Sequence, residues 1–327
     1  MTMIDNYGRR IDYMRVSITD RCNLRCQYCM PKDLPDMVSP EDILTYEEIY
    51  KIVKSAVEAG ITKFKVTGGE PLVRKGCVSF VEKLKNMPGV EAVTLTTNGV
   101  LLHEMLPALR DAGVDGINIS LDTLKEERFR QITGFSGIQK VIESIKESTQ
   151  MGIRTKVNCV LMKDVNEDEI LDFIRISEKF PVDVRFIEMM PIGYGKGYAG
   201  IDSSRVLEIL QSEYAHMEPV REKRGNGPAL YIHPEGFRGC VGWIDAIHGK
   251  FCDQCNRIRL TCQGLLKPCL YYQEGTDLRS AVRGNVSQKE LTELIRQTIL
   301  KKPQEHHFGE KRAENEAEEK RMSQIGG

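Results

Sequence analysis

The sequence predicts an α/β protein, an incomplete (βα)6 TIM-like barrel followed by a smaller C-terminal α+β domain that closes it. From Tyr13 to about Met190, short β-branched runs alternate with amphipathic helical stretches, the signature of repeated βα units on a parallel sheet. Six such units can be counted, two short of a complete barrel. After Pro191 the pattern gives way to a Gly- and Lys-rich stretch, one more helix-like segment and a series of short strands and turns.

The strand candidates, in chain order, are YMRVSIT, KFKVTG, AVTLTTN, GINISLD, RTKVNCVLM and VDVRFIEMM. Between them YEEIYKIVKSAVEAG, LLHEMLPALRDAG and EDEILDFIRISEKF place apolar residues at spacings of three and four, and the first two stop at Ala-Gly, a helix end signal. Within the strands, Met14, Val16 and Ile18 share one face while Arg15, Ser17 and Thr19 share the other. Phe64 and Val66 are likewise opposed to Lys63, Lys65 and Thr67. The polar series continues through Thr94, Thr96 and Asn98, then Asn118, Ser120 and Asp122, then Lys156 and Asn158, then Asp183 and Arg185. A parallel strand buried on both faces reads apolar throughout, and a complete barrel fills its interior with aliphatics. Unpaired polar groups buried there would cost about 1–3 kcal/mol each. The alternation therefore predicts a polar lumen filled by a large polar ligand and water, the alternative being a sheet with one face open to solvent.

Residues 1–219 are assigned to the barrel and 220–305 to the second domain, with QKELTELIRQTILKK as its last helix. Residues 306–327 read as a charged tail, solvated and mobile by composition.

With 46 basic against 47 acidic residues the net charge is −1, so no global field draws in nucleic acid or an anionic membrane, and any anion site is local. The chain opens on polar residues, and no apolar run approaches the roughly 18 residues of a membrane span. The expectation is a soluble, cytoplasmic protein. Six of the ten cysteines fall into two short groups in a large chain without an export signal, which points to metal rather than disulfides. Cys77, Cys159, Cys240 and Cys262 are scattered and read as small buried hydrophobes.

Cys22, Cys26 and Cys29 follow the first strand, at the mouth where a βα barrel carries its chemistry. Thiolates suit zinc or iron-sulfur clusters. Structural zinc needs a fourth ligand, yet the next cysteine is Cys77 and the nearest histidine His103. Three cysteines on a 4Fe-4S cluster would leave one iron open to bind something else. Cys252, Cys255 and Cys269 form the second group, where spacing alone also admits a zinc ribbon that uses Cys262.

The C-x3-C-x2-C pattern, with Tyr28 before its last cysteine, resembles the signature of radical S-adenosylmethionine (SAM) enzymes. The resemblance implies that SAM's amino and carboxylate groups take the open iron. It also implies SAM contacts from Tyr28, from Gly69 in the Thr67-Gly68-Gly69-Glu70 turn, and from Ser120 and Met190. Glycines permit the close backbone approach that such a turn needs.

Over most of its length the chain is similar to the GTP 3′,8-cyclase family, which begins molybdenum cofactor synthesis. MRVSITDRCNLRCQYCMP, FKVTGGEPLVR, LTTNG, GINISLDTL, KVNCVLMKDVN, VRFIEMMP, FCDQCNRIRLT and the final IGG carry the likeness in family order. It implies a second 4Fe-4S cluster on Cys252, Cys255 and Cys269 whose open iron meets guanine, with Cys262 a departure from the family pattern. Arg257, Ile258 and Arg259 would hold GTP together with Arg15, Lys65, Thr96, Lys156 and Arg185. Arg257 and Arg259 stand two apart, on one face of an extended segment, and guanidinium groups suit phosphate. The terminal Gly326 and Gly327 would enter the active site, where side chains would not fit.

The implied reaction begins with reductive cleavage of SAM to a 5′-deoxyadenosyl radical. That radical removes the C3′ hydrogen of GTP, and the C3′ radical then attacks guanine C8. An electron donor, a downstream cyclic pyranopterin monophosphate synthase and a homodimeric state are implied as partners, with no nucleic acid and no membrane. Two other readings compete: a different radical SAM enzyme with an auxiliary cluster, such as a peptide-modifying maturase, and a non-enzymatic zinc-binding adaptor.

Overall fold

The computed structural model describes residues 3–30, 37–308, 310 and 317–326. Its strands are β1 (Tyr13–Ser17), β2 (Lys63–Thr67), β3 (Ala92–Thr97), β4 (Gly116–Ser120), β5 (Thr155–Leu161), β6 (Val182–Glu188), β7 (Met217–Pro219), β8 (Leu230–Pro234), β9 (Val241–Ile244), β10 (Arg257–Leu260), β11 (Leu265–Lys267) and β12 (Thr276–Asp277). The helices are α1 (Tyr46–Glu58), α2 (Cys77–Lys85), α3 (Leu102–Asp111), α4 (Glu126–Thr133), α5 (Ile138–Gln150), α6 (Ile170–Lys179), α7 (Ser203–Glu213), α8 (Leu278–Arg283), α9 (Gln288–Leu300) and α10 (Met322–Ile325).

Local chemistry explains the helix ends. At the start of α1 the Glu48 N–H donates to Thr45 Oγ1 at 3.1 Å while the Thr45 N–H donates to Glu48 Oε2 at 2.7 Å, a reciprocal cap. Ser287 and Glu290 cap α9 in the same way. The predicted Ala-Gly stops are real: Ala59 and Ala112 close α1 and α3, and Gly60 and Gly113 follow at φ +104° and +78°.

All strands belong to one open sheet, in the order β12-β11-β10-β1-β2-β3-β4-β5-β6-β9-β8-β7. The six predicted units supply β1 to β6, paired in parallel. The residues from Met217 onward extend this sheet at both edges. β10 lies parallel beside β1 and β9 parallel beside β6, and antiparallel strands finish each edge.

The predicted alternation sorts the two faces. Met14, Val16, Ile18, Phe64 and Val66 are fully buried in one large core between sheet and helices. The opposite face carries Lys65, Asn118, Lys156, Asp183 and Arg185, all buried and polar. Lys65 on β2 is electrostatically coupled to Lys156 on β5 and Arg185 on β6. In a flat sheet, strands spaced about 4.8 Å apart would hold those side chains well away from one another. The sheet therefore curves and wraps its polar face around a lumen.

Candidate active site

One cavity at the strand C-terminal ends joins the two cysteine groups. Cys22, Cys26, Cys29, Cys252, Cys255 and Cys269 all line it, as do Tyr28, Gly69, Ser120, Met190, Arg15, Thr96, Arg257 and Arg259. Cys262 does not: it is fully buried between β10 and β11, beside Ser17 and Asp20. Cys77, Cys159 and Cys240 are buried as well, as the sequence predicts.

The loop after β1 presents the first three thiols. The Leu24 N–H donates to Cys22 Sγ at 3.3 Å, and Asn98 Nδ2 lies 3.7 Å from the same sulfur. Burial pushes the Cys22 thiol up to about 11 and the Cys29 thiol up to about 12, and their thiolates oppose one another. Such a set calls for a cation among the sulfurs.

The glycine turn has a specific job. A Cβ on Gly69 would stand 2.4 Å from the Arg21 carbonyl oxygen, and one on Gly68 2.6 Å from that of Thr19. The Gly69 and Glu70 N–H groups donate to Thr19 and Arg21 at 2.7 and 2.8 Å. The close approach read from the glycines is thus made by the loop that carries Cys22, and the turn's carbonyls are what it can offer a ligand. Glu70 anchors the turn, accepting from Thr97 Oγ1, the Asn98 N–H and the Leu72 N–H. Its burial raises the carboxyl to about 7.

The lumen wall is cationic. Parallel register sets Arg259, Arg15 and Lys65 side by side on β10, β1 and β2. Like charges on adjacent strands repel. Burial, then Arg185, Arg15, Lys156 and Arg257, hold Lys65 well below its ordinary range, and burial, then Arg15 and Arg257, do the same for Arg259. Arg15 Nε, Arg257 Nε and Arg257 Nη2 are sealed from solvent without a hydrogen-bond partner. Deeper in the lumen, Lys156 Nζ donates to Tyr231 Oη at 2.8 Å and pairs with Asp183 at 3.2 Å. Arg185 donates to Asn158 Oδ1 from both Nε and Nη2. Ile258 points the other way, fully buried in the core, so only its backbone can meet a ligand.

The tail corrects an expectation. Residues 317–326 are packed rather than solvated: Glu318, Arg321, Ser323 and Ile325 are buried, and Met322 and Ser323 line the cavity. Glu318 pairs inside with Lys267, whereas Glu319 and Lys320 stay exposed. Gly326 reaches Ser17 and Thr67, while Gly327 lies outside the described residues. Sequence reasoning also passed over Lys302 and His306 on the cavity wall and the bond from Tyr28 Oη to Asp122 Oδ2 at 2.6 Å. The polar alternation that included Asp122 was the available signal for that bond.

Residues 16–176 match the Radical SAM superfamily, and residues 182–308 match Molybdenum Cofactor Synthesis C. A Clostridium perfringens (strain SM101) protein named GTP 3′,8-cyclase is 45% identical over 325 residues, which span 99% of this chain and 100% of that protein. Another of that name, from Thermodesulfovibrio yellowstonii, is 44% identical over 306 residues, 92% of this chain and 95% of that one. The chain belongs to the GTP 3′,8-cyclase family. Among solved structures, Streptococcus suis SuiB bound to S-adenosylmethionine has a TM-score of 0.62 at 15% identity, covering 84% of this chain and 67% of that one. That likeness is one of fold.

GTP 3′,8-cyclases use SAM with one 4Fe-4S cluster and carry a second. The donor chemistry here fits both, since each thiol set faces the shared cavity from three points. Among the described residues no three His, Cys, Asp or Glu side chains gather as they would around a single ion. In the second set, burial pushes the Cys255 thiol up, but Lys302 and Arg257 outweigh it and bring the thiol down to about 6. No helix among the described residues is long and apolar enough to cross a membrane.

Proposed function

We propose that this chain is a radical SAM lyase that converts GTP to 3′,8-cyclo-7,8-dihydro-GTP, the first step of molybdenum cofactor biosynthesis. The observation that carries this reading is that Arg15, Arg257 and Arg259 line a cavity shared by two three-cysteine sets, with Lys65 outside the cavity lining but beside Arg15 in register. Buried like charges side by side are tolerated where a polyanion sits among them, and a triphosphate supplies one.

In this reading Cys22, Cys26 and Cys29 hold the first 4Fe-4S cluster, and Cys252, Cys255 and Cys269 hold the second. Tyr28, Gly69, Ser120 and Met190 bind SAM. Arg15, Thr96, Arg257 and Arg259 receive GTP, and Lys65, Lys156 and Arg185 extend the positive field beneath them. When bound, the first cluster supplies the electron that cleaves SAM and so generates the 5′-deoxyadenosyl radical. The chain's own task is positional, holding the ribose against SAM and keeping water from the radical. Gly326, with Gly327 beyond it, brings the tail to the cavity without side-chain bulk. A cytoplasmic setting, an electron donor, a downstream cyclic pyranopterin monophosphate synthase and a homodimer belong to the same reading.

The test is anaerobic incubation of reconstituted protein with SAM, dithionite and GTP. Formation of 5′-deoxyadenosine is expected to depend on GTP, with about eight irons per chain from two 4Fe-4S clusters. Indifference to GTP would refute the cyclase reading, and stoichiometric zinc without sulfide would refute the cluster reading.

A further inference from the structure

Lys302 follows the end of α9 and is 3% exposed. A lysine ammonium has three protons to place. Two go to backbone carbonyls, that of Arg257 at 3.0 Å and that of Pro268 at 2.6 Å. Those carbonyls belong to the segments bearing two of the second-set cysteines, because Arg257 stands two residues after Cys255 and Pro268 immediately precedes Cys269. The Lys302 charge lies close enough to Cys255 and Cys252 to favour their thiolates.

The next two residues complete the clasp. Arg9 donates to the carbonyls of Pro303 and Gln304 at 2.7 Å each, and to that of Cys252 at 2.9 Å. Asp5 holds Arg9 in place, with its carboxylate 2.6 Å from Arg9 Nε. Residues 302–304 are thus tied to all three cysteine-bearing segments. Arg9 has a carboxylate partner, whereas the hydrogen bonds of Lys302 go to neutral carbonyls. A buried ammonium against neutral groups alone is unfavourable unless an anion faces it. What faces this one is the second thiol set.

We propose that Lys302 is the built-in counter-ion of the second cysteine set, clamping the Cys255 and Cys269 segments together and supplying the positive charge that their thiolates need. It is a positioning residue, and its role rests on the reading of Cys252, Cys255 and Cys269 as cluster ligands. Net charge and hydrogen bonds to sulfur set cluster potentials, so its removal has a signature separate from activity.

The experiment uses the full chain with Cys22, Cys26 and Cys29 replaced by alanine, leaving only the second site to bind iron. Lys302→Met removes the charge and keeps the stem, and Lys302→Arg keeps the charge. EPR-monitored redox titration and iron loss to a chelator are the readouts. Relative to the parent, the Lys302→Met cluster is expected to titrate at a more negative potential and lose iron several-fold faster, with Lys302→Arg restoring both in part. The metal-free Lys302→Met chain is expected to melt lower than the parent, since two carbonyls lose their donor, so the potential is the readout that a merely structural lysine would not move. Should Lys302→Met not fold, Lys302→Gln reads the same quantities. Unchanged potential and unchanged iron loss in the neutral variant would overturn the proposal. A parent that binds no iron would overturn the cluster reading beneath it, and the proposal with it.

Discussion

Arg259 Nη1 donates a hydrogen bond to the carbonyl oxygen of Gly326 at 3.0 Å, joining a lumen cation of β10 to the end of the chain. Gly326 sits at φ +77°, and a Cβ there would stand 3.1 Å from that of Ser17. In Gly326→Ala the left-handed backbone costs about 1–2 kcal/mol, roughly a factor of ten in the docking equilibrium of the tail. Amide exchange across Ser323 to Gly326 is expected to accelerate about tenfold without a change in global melting, and turnover is expected to fall. Accelerated exchange at undiminished turnover would separate the tail from the chemistry.

Arg15 shows a conflict between apo stability and binding. Its guanidinium is pushed down by burial and by Arg257 and Arg185, with Tyr13 opposing, and its Nε has no partner. Arg15→Met relieves that repulsion while removing one charge-assisted contact to an anion, worth about 1.5–3 kcal/mol. The metal-free variant is expected to melt a few degrees higher than the parent. Its GTP affinity, measured anaerobically by calorimetry, is expected to drop about 10–100-fold, with SAM binding unchanged. A matching loss of SAM affinity would contradict the division of the cavity between the two ligands.

Lys156 gives binding a pH dependence. Burial and Arg185 bring its ammonium down to about 8 against the pull of Asp183. Above that pH the apo protein holds it largely neutral, whereas a bound triphosphate favours the charged form, so GTP binding takes up a proton. GTP affinity is expected to fall as pH rises from 8 to 10, and calorimetry at pH 9 in buffers of different ionisation enthalpy should register the uptake. Lys156→Met removes that uptake. Folding runs the other way: the unfolded chain, with its lysine near 10.5, binds more protons between pH 8 and 10.5, so this group's share of stability rises with pH across that window.

How much of this was legible depends on the range of the interaction. Period-two alternation revealed the inward set from Arg15 to Arg185 because side-chain direction in a strand is a local property. The pairing of β10 with β1 had no local signal. Without that pairing, Arg257 and Arg259 read as two arginines on one face, but not as neighbours of Tyr13 and Arg15. Ile258 was grouped with them by resemblance, although the same alternation turns its side chain into the core. The tail misled for a related reason. Composition counts the charges of residues 306–327 but cannot pair them, and Lys267, the partner of Glu318, lies in another element.

That pair carries the last prediction. Lys267 and Glu318 are 0% and 2% exposed by side chain, so their ion pair is wholly buried. Removing one member of such a pair costs about 3–5 kcal/mol because the other charge is left alone, whereas replacing both with apolar residues of similar volume is often neutral. Glu318→Ala can relieve the stranded ammonium by undocking residues 317–326, so the effect is expected in the tail more than in the global melt. Amide exchange there should rise at least 100-fold, and turnover should fall toward that of a chain truncated after Ala317. The double variant Lys267→Met with Glu318→Met should recover slow exchange, since burial then needs no charge pairing. Two independent, additive defects instead of recovery would show that this ion pair does not hold the tail in place.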